Sequence, residues 1–285
     1  MEEKMRIHTT GQYSKRWEDL TFTDNFIFCK VMKDKTLCKE LLERLLKIKI
    51  ERLEFPETEK SLIPEYDSKG IRLDLYVKDS DGNNERIFDV EIQTYKDFDI
   101  EKRVRFYQSV IDIDNLIRGD RYKELPESYI IFICTEDPFN LNLPVYETKT
   151  MFKNTDTVYN DDTHKIFFNA AAYKKVENKN VRNFLEFIHT HKSMDDFTSK
   201  IDKASFVAKQ NALWRKEYMF LYDVIEDEKE IAREIGLSEG RAEGARQKAI
   251  EAAKNFIRNN VNINIIANSL GLSLEEVRQL QEEMK

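Results

Sequence analysis

Residues 71–77 read Ile-Arg-Leu-Asp-Leu-Tyr-Val, and their strict alternation limits what this chain can fold into more than any other stretch does. Ile71, Leu73, Leu75 and Val77 point one way and Arg72, Asp74 and Tyr76 the other, which is the period of two of a β-strand. Residues 79–84, Asp-Ser-Asp-Gly-Asn-Asn, are turn formers, so the strand predicted over residues 86–93 should pair antiparallel with the first. It alternates as well, with Phe88, Val90 and Ile92 on one face and Asp89, Glu91 and Gln93 on the other. Two neighbouring strands therefore each carry an apolar face and a carboxylate face, and Asp74 and Glu91 can converge.

The flanking segments say what this hairpin packs against. Residues 23–46 show apolar residues at helical spacing, broken near Lys33-Asp34-Lys35, and read as two short helices. Residues 50–69, with Pro56 and Pro64, read as strand and loop. A helix is predicted over residues 100–119, with Gly119 as its C-cap. The continuous apolar run 129–134 reads as a strand buried on both faces, and a weaker strand signal follows at 165–169. The order strand, strand, helix, buried strand predicts an α/β layered domain over residues 1–178. Residues 179–285 read as a helical C-terminal region with no proline after Pro144. Gly236, Gly240 and Gly244 recur there every four residues, either weakening a mobile helix or lining a close-packed seam between subunits of a homo-oligomer.

Composition excludes some classes. The 285 residues are 41% hydrophobic and 35% charged, a folded core beneath a very charged surface. The formal net charge is −7, so contact with a nucleic acid must come from a local basic face. No apolar run is long enough for a membrane span and no secretory signal opens the sequence, so a cytoplasmic protein without membrane contact is expected. Cys29, Cys38 and Cys134 have no CxxC spacing, and the His189/His191 pair lacks a third ligand.

Two carboxylates brought together repel unless a cation lies between them, and hard oxygen ligands favour Mg²⁺ or Mn²⁺ over Zn²⁺. The Ile92 backbone carbonyl could add a third oxygen. Alternation alone most often describes the wet face of an antiparallel sheet. The helix and buried strand that follow argue instead that this sheet is covered, so inward carboxylates need a reason to be there.

The stretch RLDLYVKDSDGNNERIFDVEIQ, together with FTDNFIFCKVMKDKTLCKELLERLL, KRVRFYQSVIDIDNLIRGDRYKELPESYIIFIC and the glycine-repeat tail, resembles the PD-(D/E)XK nuclease superfamily, in particular its bacterial transposase-like, recombination-promoting branch. The resemblance implies a restriction-endonuclease-like mixed sheet flanked by helices, and metal-dependent cleavage of DNA phosphodiesters in recombination or mobile-element processes. It implies that Asp74 and Glu91 are the Mg²⁺ ligands and that Gln93 stands where most of the superfamily has lysine. A lysine can help deprotonate water and stabilise negative charge, whereas glutamine can only position water by hydrogen bonds. Asp24 corresponds to an accessory acid, or caps the helix it precedes. Arg103, Arg105, Tyr107 and Gln108 lie on the helix after the motif strand. Arg103 could bind phosphate there and Tyr107 or Gln108 line the site, or Tyr107 is core and the arginines are surface. The different-class alternative is a non-catalytic DNA-binding or interaction protein on a decayed nuclease fold.

At the end of the chain Ala267, Gly271 and Val277 have helix-turn-helix spacing, and Ser273 with Glu276 forms a capping box. The second helix holds Glu275, Glu276, Glu282 and Glu283 against Arg278 and Lys285, a charge that disfavours phosphate contact. A packing or oligomerisation hairpin is the better expectation.

Overall fold

The computed structural model describes residues 15–63, 70–80 and 85–284. Two short helices, α1 (Asn25–Met32) and α2 (Lys35–Leu46), precede β1 (Glu57–Leu62), β2 (Ile71–Ser80) and β3 (Glu85–Gln93). Helix α3 (Ile100–Asn115) leads to β4 (Glu127–Cys134), β5 (Val145–Glu147) and β6 (Thr163–Asn169). The rest is helical: α4 (Lys179–Thr190), α5 (Asp196–Gln210), α6 (Ala212–Arg258), α7 (Ile263–Leu270) and α8 (Leu274–Glu283).

The six strands form one mixed sheet in the order β1-β2-β3-β4-β6-β5. Pairing is antiparallel from β1 to β3 and between β5 and β6, and parallel for β3–β4 and β4–β6. The turn residues 81–84 lie outside the described residues, but Ser80 opposite Glu85 and Leu75 opposite Val90 establish the antiparallel hairpin. As the apolar run implied, β4 is central and almost wholly buried, with Phe132 against Phe167 of β6.

The face that carries Tyr76, Asp89 and Glu91 is covered by α3, and Ile71 and Leu73 pack in the same cluster as Tyr76, so the strict alternation expected over residues 71–77 breaks around Asp74. Tyr76 Oη donates to Asn115 Oδ1 at 3.2 Å, and Gln108 Nε2 donates to Ser128 Oγ at 2.8 Å. The other face meets α1, where Cys29 Sγ donates to the Asp74 carbonyl at 3.3 Å. Helix α3 stops at Asn115 instead of running to Gly119. Asn115 Nδ2 donates back to the Ile111 carbonyl at 2.7 Å while its Oδ1 takes Lys78 Nζ at 2.8 Å, so the side chain ties the helix end to β2. Leu116 is already extended, and Gly119, at φ 110°, serves the following loop.

The chain divides into two compact units at Phe220/Leu221. Helices α4 and α5, which fall in the expected helical region 179–285, lie in the first unit. Their buried faces (Val181, Phe184, Leu185 and Ile188; Phe197 and Ile201) pack with α1 and α2. In the second unit Ala253 of α6, Ile266 and Ala267 of α7 and Val277 of α8 form a small core. Gly271 closes α7 at φ 66°, and Ser273 and Glu276 cap α8 reciprocally. No helix among the described residues is long and apolar enough to cross a membrane.

Asp195, the N-cap of α5, ties three helices together. Its carboxylate takes Arg44 Nη1 of α2 at 2.5 Å, the Thr198 N–H at 2.9 Å and Asn183 Nδ2 of α4 at 3.2 Å. Burial pushes this carboxyl up, but these hydrogen bonds outweigh it and hold the pKa down at about 2. A carboxyl depressed by folding stabilises the fold at pH values above its unfolded pKa of about 4, and that gain is lost as pH falls toward the folded value. Asp195→Asn retains a competent N-cap and removes the charge. Urea unfolding is expected to show a loss of about 1–2 kcal/mol at pH 7 that shrinks steadily toward pH 3. A penalty independent of pH would show that Arg44 does not depend on the charge.

Candidate active site

Strands β2 and β3 are paired from Ser80/Glu85 as far as Leu75/Val90, and there the ladder ends although both strands continue. Beyond that point the start of β2 stays with β1, through Leu73–Lys60 and Ile71–Leu62. The end of β3 stays with β4, through Glu91–Phe132 and Gln93–Cys134. The sheet forks, and the fork exposes backbone groups that would otherwise bond across the ladder.

The two acids fill it reciprocally. The Asp74 N–H donates to Glu91 Oε1 at 2.8 Å, and the Ile92 N–H donates to Asp74 Oδ2 at 3.2 Å. In a strand, a residue's N–H and C=O point to the same side, so the Ile92 carbonyl also faces the fork. Asp74 and Glu91 are only 2% and 3% exposed.

A third acid, Asp89, lies one step back along the same face with no exposed surface. Neither of its oxygens has a donor among the described residues, and when it carries a proton it donates to Glu91. Burial, then repulsion from Glu91, pushes the Asp74 carboxyl well above the usual carboxylate range. Burial and repulsion from Glu91 and Asp74 do the same to Asp89. Glu91 is raised by burial too, although Arg103 and the Asp74 amide draw it back.

Helix α3 supplies the counter-charge. Arg103 Nη2 donates to Gln93 Oε1 at 3.0 Å and lies 3.6 Å from Glu91 Oε2, while Nη1 donates to Asp97 Oδ2 at 2.8 Å. The guanidinium rests on the rings of Phe132, at 4.8 Å, and Tyr107, at 5.5 Å. Arg103 is thus part of the site, while Arg105 faces solvent. Gln93 is held at both ends of its amide, because Nε2 donates to the Tyr95 carbonyl at 2.8 Å.

The structure brings Asp74, Glu91, Ile92, Gln93, Arg103 and Tyr107 together. Burial and the nearby Glu91 push the Tyr107 hydroxyl well above its ordinary value, so the ring stays neutral beside the acids. Gln108 sits further along α3 and binds Ser128 and Asp112, both at 2.8 Å. Asp24 occupies the N-cap position of α1 without capping it. Its carboxylate takes the Thr21 N–H at 2.6 Å and Lys15 Nζ at 2.7 Å instead. Asp89 and Asp97 are the participants that motif reading did not single out. The alternation of β3 placed Asp89 on the right face, whereas nothing in the loop order marked Asp97.

The donor set fits a divalent cation. Two carboxylates that repel in a buried fork, with a backbone carbonyl on the same side, present hard oxygen ligands whose cost a cation would relieve. Among the described residues no group of three or more His, Cys, Asp or Glu side chains could hold a metal ion, so the pair and the carbonyl would leave further coordination positions to water or substrate oxygen.

A mixed six-stranded sheet with flanking helices is consistent with a fold of the PD-(D/E)XK type. A family model described as PD-(D/E)XK nuclease family transposase matches residues 18–234, and the chain belongs to that family. No curated protein and no solved structure shows significant similarity to it. PD-(D/E)XK nucleases generally use divalent metals.

An acid raised by folding binds its proton more tightly in the folded chain than in the unfolded one. Stability therefore declines as pH climbs from the ordinary carboxylate range through the raised folded value. Asp89→Asn keeps the shape and removes the burden. In metal-free protein it is expected to raise Tm by roughly 2–4 °C at pH 8 and to change it little at pH 5. Equal shifts at both pH values would show that Asp89 is not a buried acid in conflict with its neighbours.

Proposed function

We propose that the chain is a Mg²⁺- or Mn²⁺-dependent endonuclease that hydrolyses DNA phosphodiesters in transposase-like recombination or mobile-element processes. The observation that carries this reading is the forked acid pair, two carboxylates turned toward each other's backbone in a buried site. Asp74, Glu91 and the Ile92 carbonyl would hold the cation. Bound there, the ion supplies Lewis-acid charge that acidifies water and offsets negative charge on phosphoryl oxygens.

The chain's own residues do the rest. Arg103, braced by Asp97 and the two rings, supplies fixed positive charge next to Glu91, the charge that lysine supplies from the strand elsewhere in the superfamily. Gln93 cannot take up a proton. It locks Arg103 in place and can orient water once one of its two hydrogen bonds opens. Asp89, when protonated, fixes the Glu91 carboxylate by donating to it. Tyr107 shields the guanidinium from solvent. We assign Asp24 and Gln108 supporting roles in the fold around the site, because their polar atoms are engaged elsewhere. The sheet-bearing unit carries the chemistry.

The same closure supports one other reading, a non-catalytic DNA-binding or interaction protein, because backbone N–H groups already satisfy the acids and Gln93 is tied at both ends. Nicking of supercoiled plasmid with Mg²⁺ separates the two. Asp74→Ala and Glu91→Ala are each expected to abolish wild-type nicking. Gln93→Ala is expected to lower the single-turnover rate about 10²-fold at nearly unchanged DNA affinity. Cleavage that survives in both acid variants would remove this site from the mechanism. DNA binding without any wild-type cleavage would establish the non-catalytic reading.

A further inference from the structure

Helix α6 continues through residues 221–258 of the second unit with an apolar row that nothing in that unit covers. Val224, Ile231 and Ile235 are 40%, 50% and 53% exposed. With Glu228 between the first two they lie at spacings of four, three and four, and continuing this seven-residue repeat leads to Ser238, Ala242, Ala245 and Ala249. The first half of the row is bulky and the second half is small.

Charge is divided in the same way. Asp223, Glu226, Asp227, Glu228, Glu230 and Glu234 crowd the first half against Lys229 and Arg233, whereas Arg241, Arg246, Lys248, Lys254 and Arg258 outnumber Glu239, Glu243 and Glu251 in the second. Among the described residues, none of Asp227, Glu234, Arg241 and Lys248 has an ion-pair partner within the chain.

We infer that α6 pairs with α6 of a second copy of this chain, antiparallel, with the two helices crossing near residues 236–237. One register satisfies both patterns. It sets Val224 against Ala249 of the second copy, Ile231 against Ala242 and Ile235 against Ser238, so each bulky side chain meets a small one and the helices approach closely. Glu228 meets Ala245, whose small side chain lets the carboxylate reach solvent. The flanking positions then match Asp227 with Lys248 and Glu234 with Arg241, each twice by symmetry. A parallel pair would set Val224 on Val224 and Ala249 on Ala249, leaving the small half underpacked. It would also bring the acidic half against itself.

The glycines are not the seam. Gly236, Gly240 and Gly244 fall on the outer side of this repeat, and a Cβ at any of them meets nothing within 4 Å.

Full-length chain is expected to sediment as a dimer at tens of micromolar. Glu234→Arg alone and Arg241→Glu alone should each weaken association roughly tenfold, since each makes two like-charged contacts per dimer, and the double swap should restore it. Val224→Cys combined with Ala249→Cys should form a disulfide-linked dimer under mild oxidation, while either cysteine alone should not. Cys29, Cys38 and Cys134 are buried and leave the readout clean. Gly240→Ala should leave the dimer intact. A monomer at these concentrations, a cross-link through Val224→Cys alone, loss of the dimer in Gly240→Ala or a double swap that fails to rescue would each overturn the proposal.

Discussion

The fork between β2 and β3 is the interaction on which the site depends. A sheet cannot part without exposing backbone N–H and C=O groups, and in a buried interior each unpaired group is costly. Here the acid at the mouth of each strand takes an N–H from the other strand, so the opening is closed by side chains instead of a ladder. Asp74 and Glu91 are therefore structural residues, and under the proposed function they hold the cation as well. The arrangement also explains why the sheet is mixed. One arm of the fork is secured antiparallel by β1 and the other parallel by β4, and neither could hold its position without that outer neighbour.

Three buried carboxyl groups around one fork would be unfavourable without compensation, and the compensation comes from α3. Arg103 reaches Glu91, Gln93 and Asp97 with one guanidinium laid over Phe132 and Tyr107, a geometry that the flat, multidentate head group of arginine permits and a lysine ammonium does not. The positive charge beside the acids thus comes from the covering helix. Glutamine at position 93 is then the consistent choice for the strand, because its amide oxygen accepts from the arginine where a lysine would repel it.

The second unit follows a different logic. Its helix hairpin is built on a four-residue core and ordinary caps, while the longest helix leaves a graded apolar row and a divided charge pattern in solvent. The proposed pairing of two copies would cover this row by setting its bulky half against its small half, which a single straight helix cannot do with itself.

What the sequence by itself determined is local and periodic. Alternation placed Asp89, Glu91 and Gln93 on one face of β3, the run 129–134 marked the buried strand, and the family resemblance supplied the architecture that the sheet order displays. These features follow from side-chain periodicity, which needs no knowledge of distant neighbours. The tertiary structure decided the rest. Asp24 stood at the start of a helix in the manner of a cap, but Thr21 and Lys15 claimed it. Gly119 looked like a helix end, but Asn115 ended the helix earlier by bonding β2. Helices α4 and α5 read as the start of a separate helical region, yet their apolar faces belong with α1 and α2. The parting of β2 from β3 has no sequence marker at all, because it depends on the competition of β1 and β4 for the two strands, and that competition exists only once the sheet is assembled.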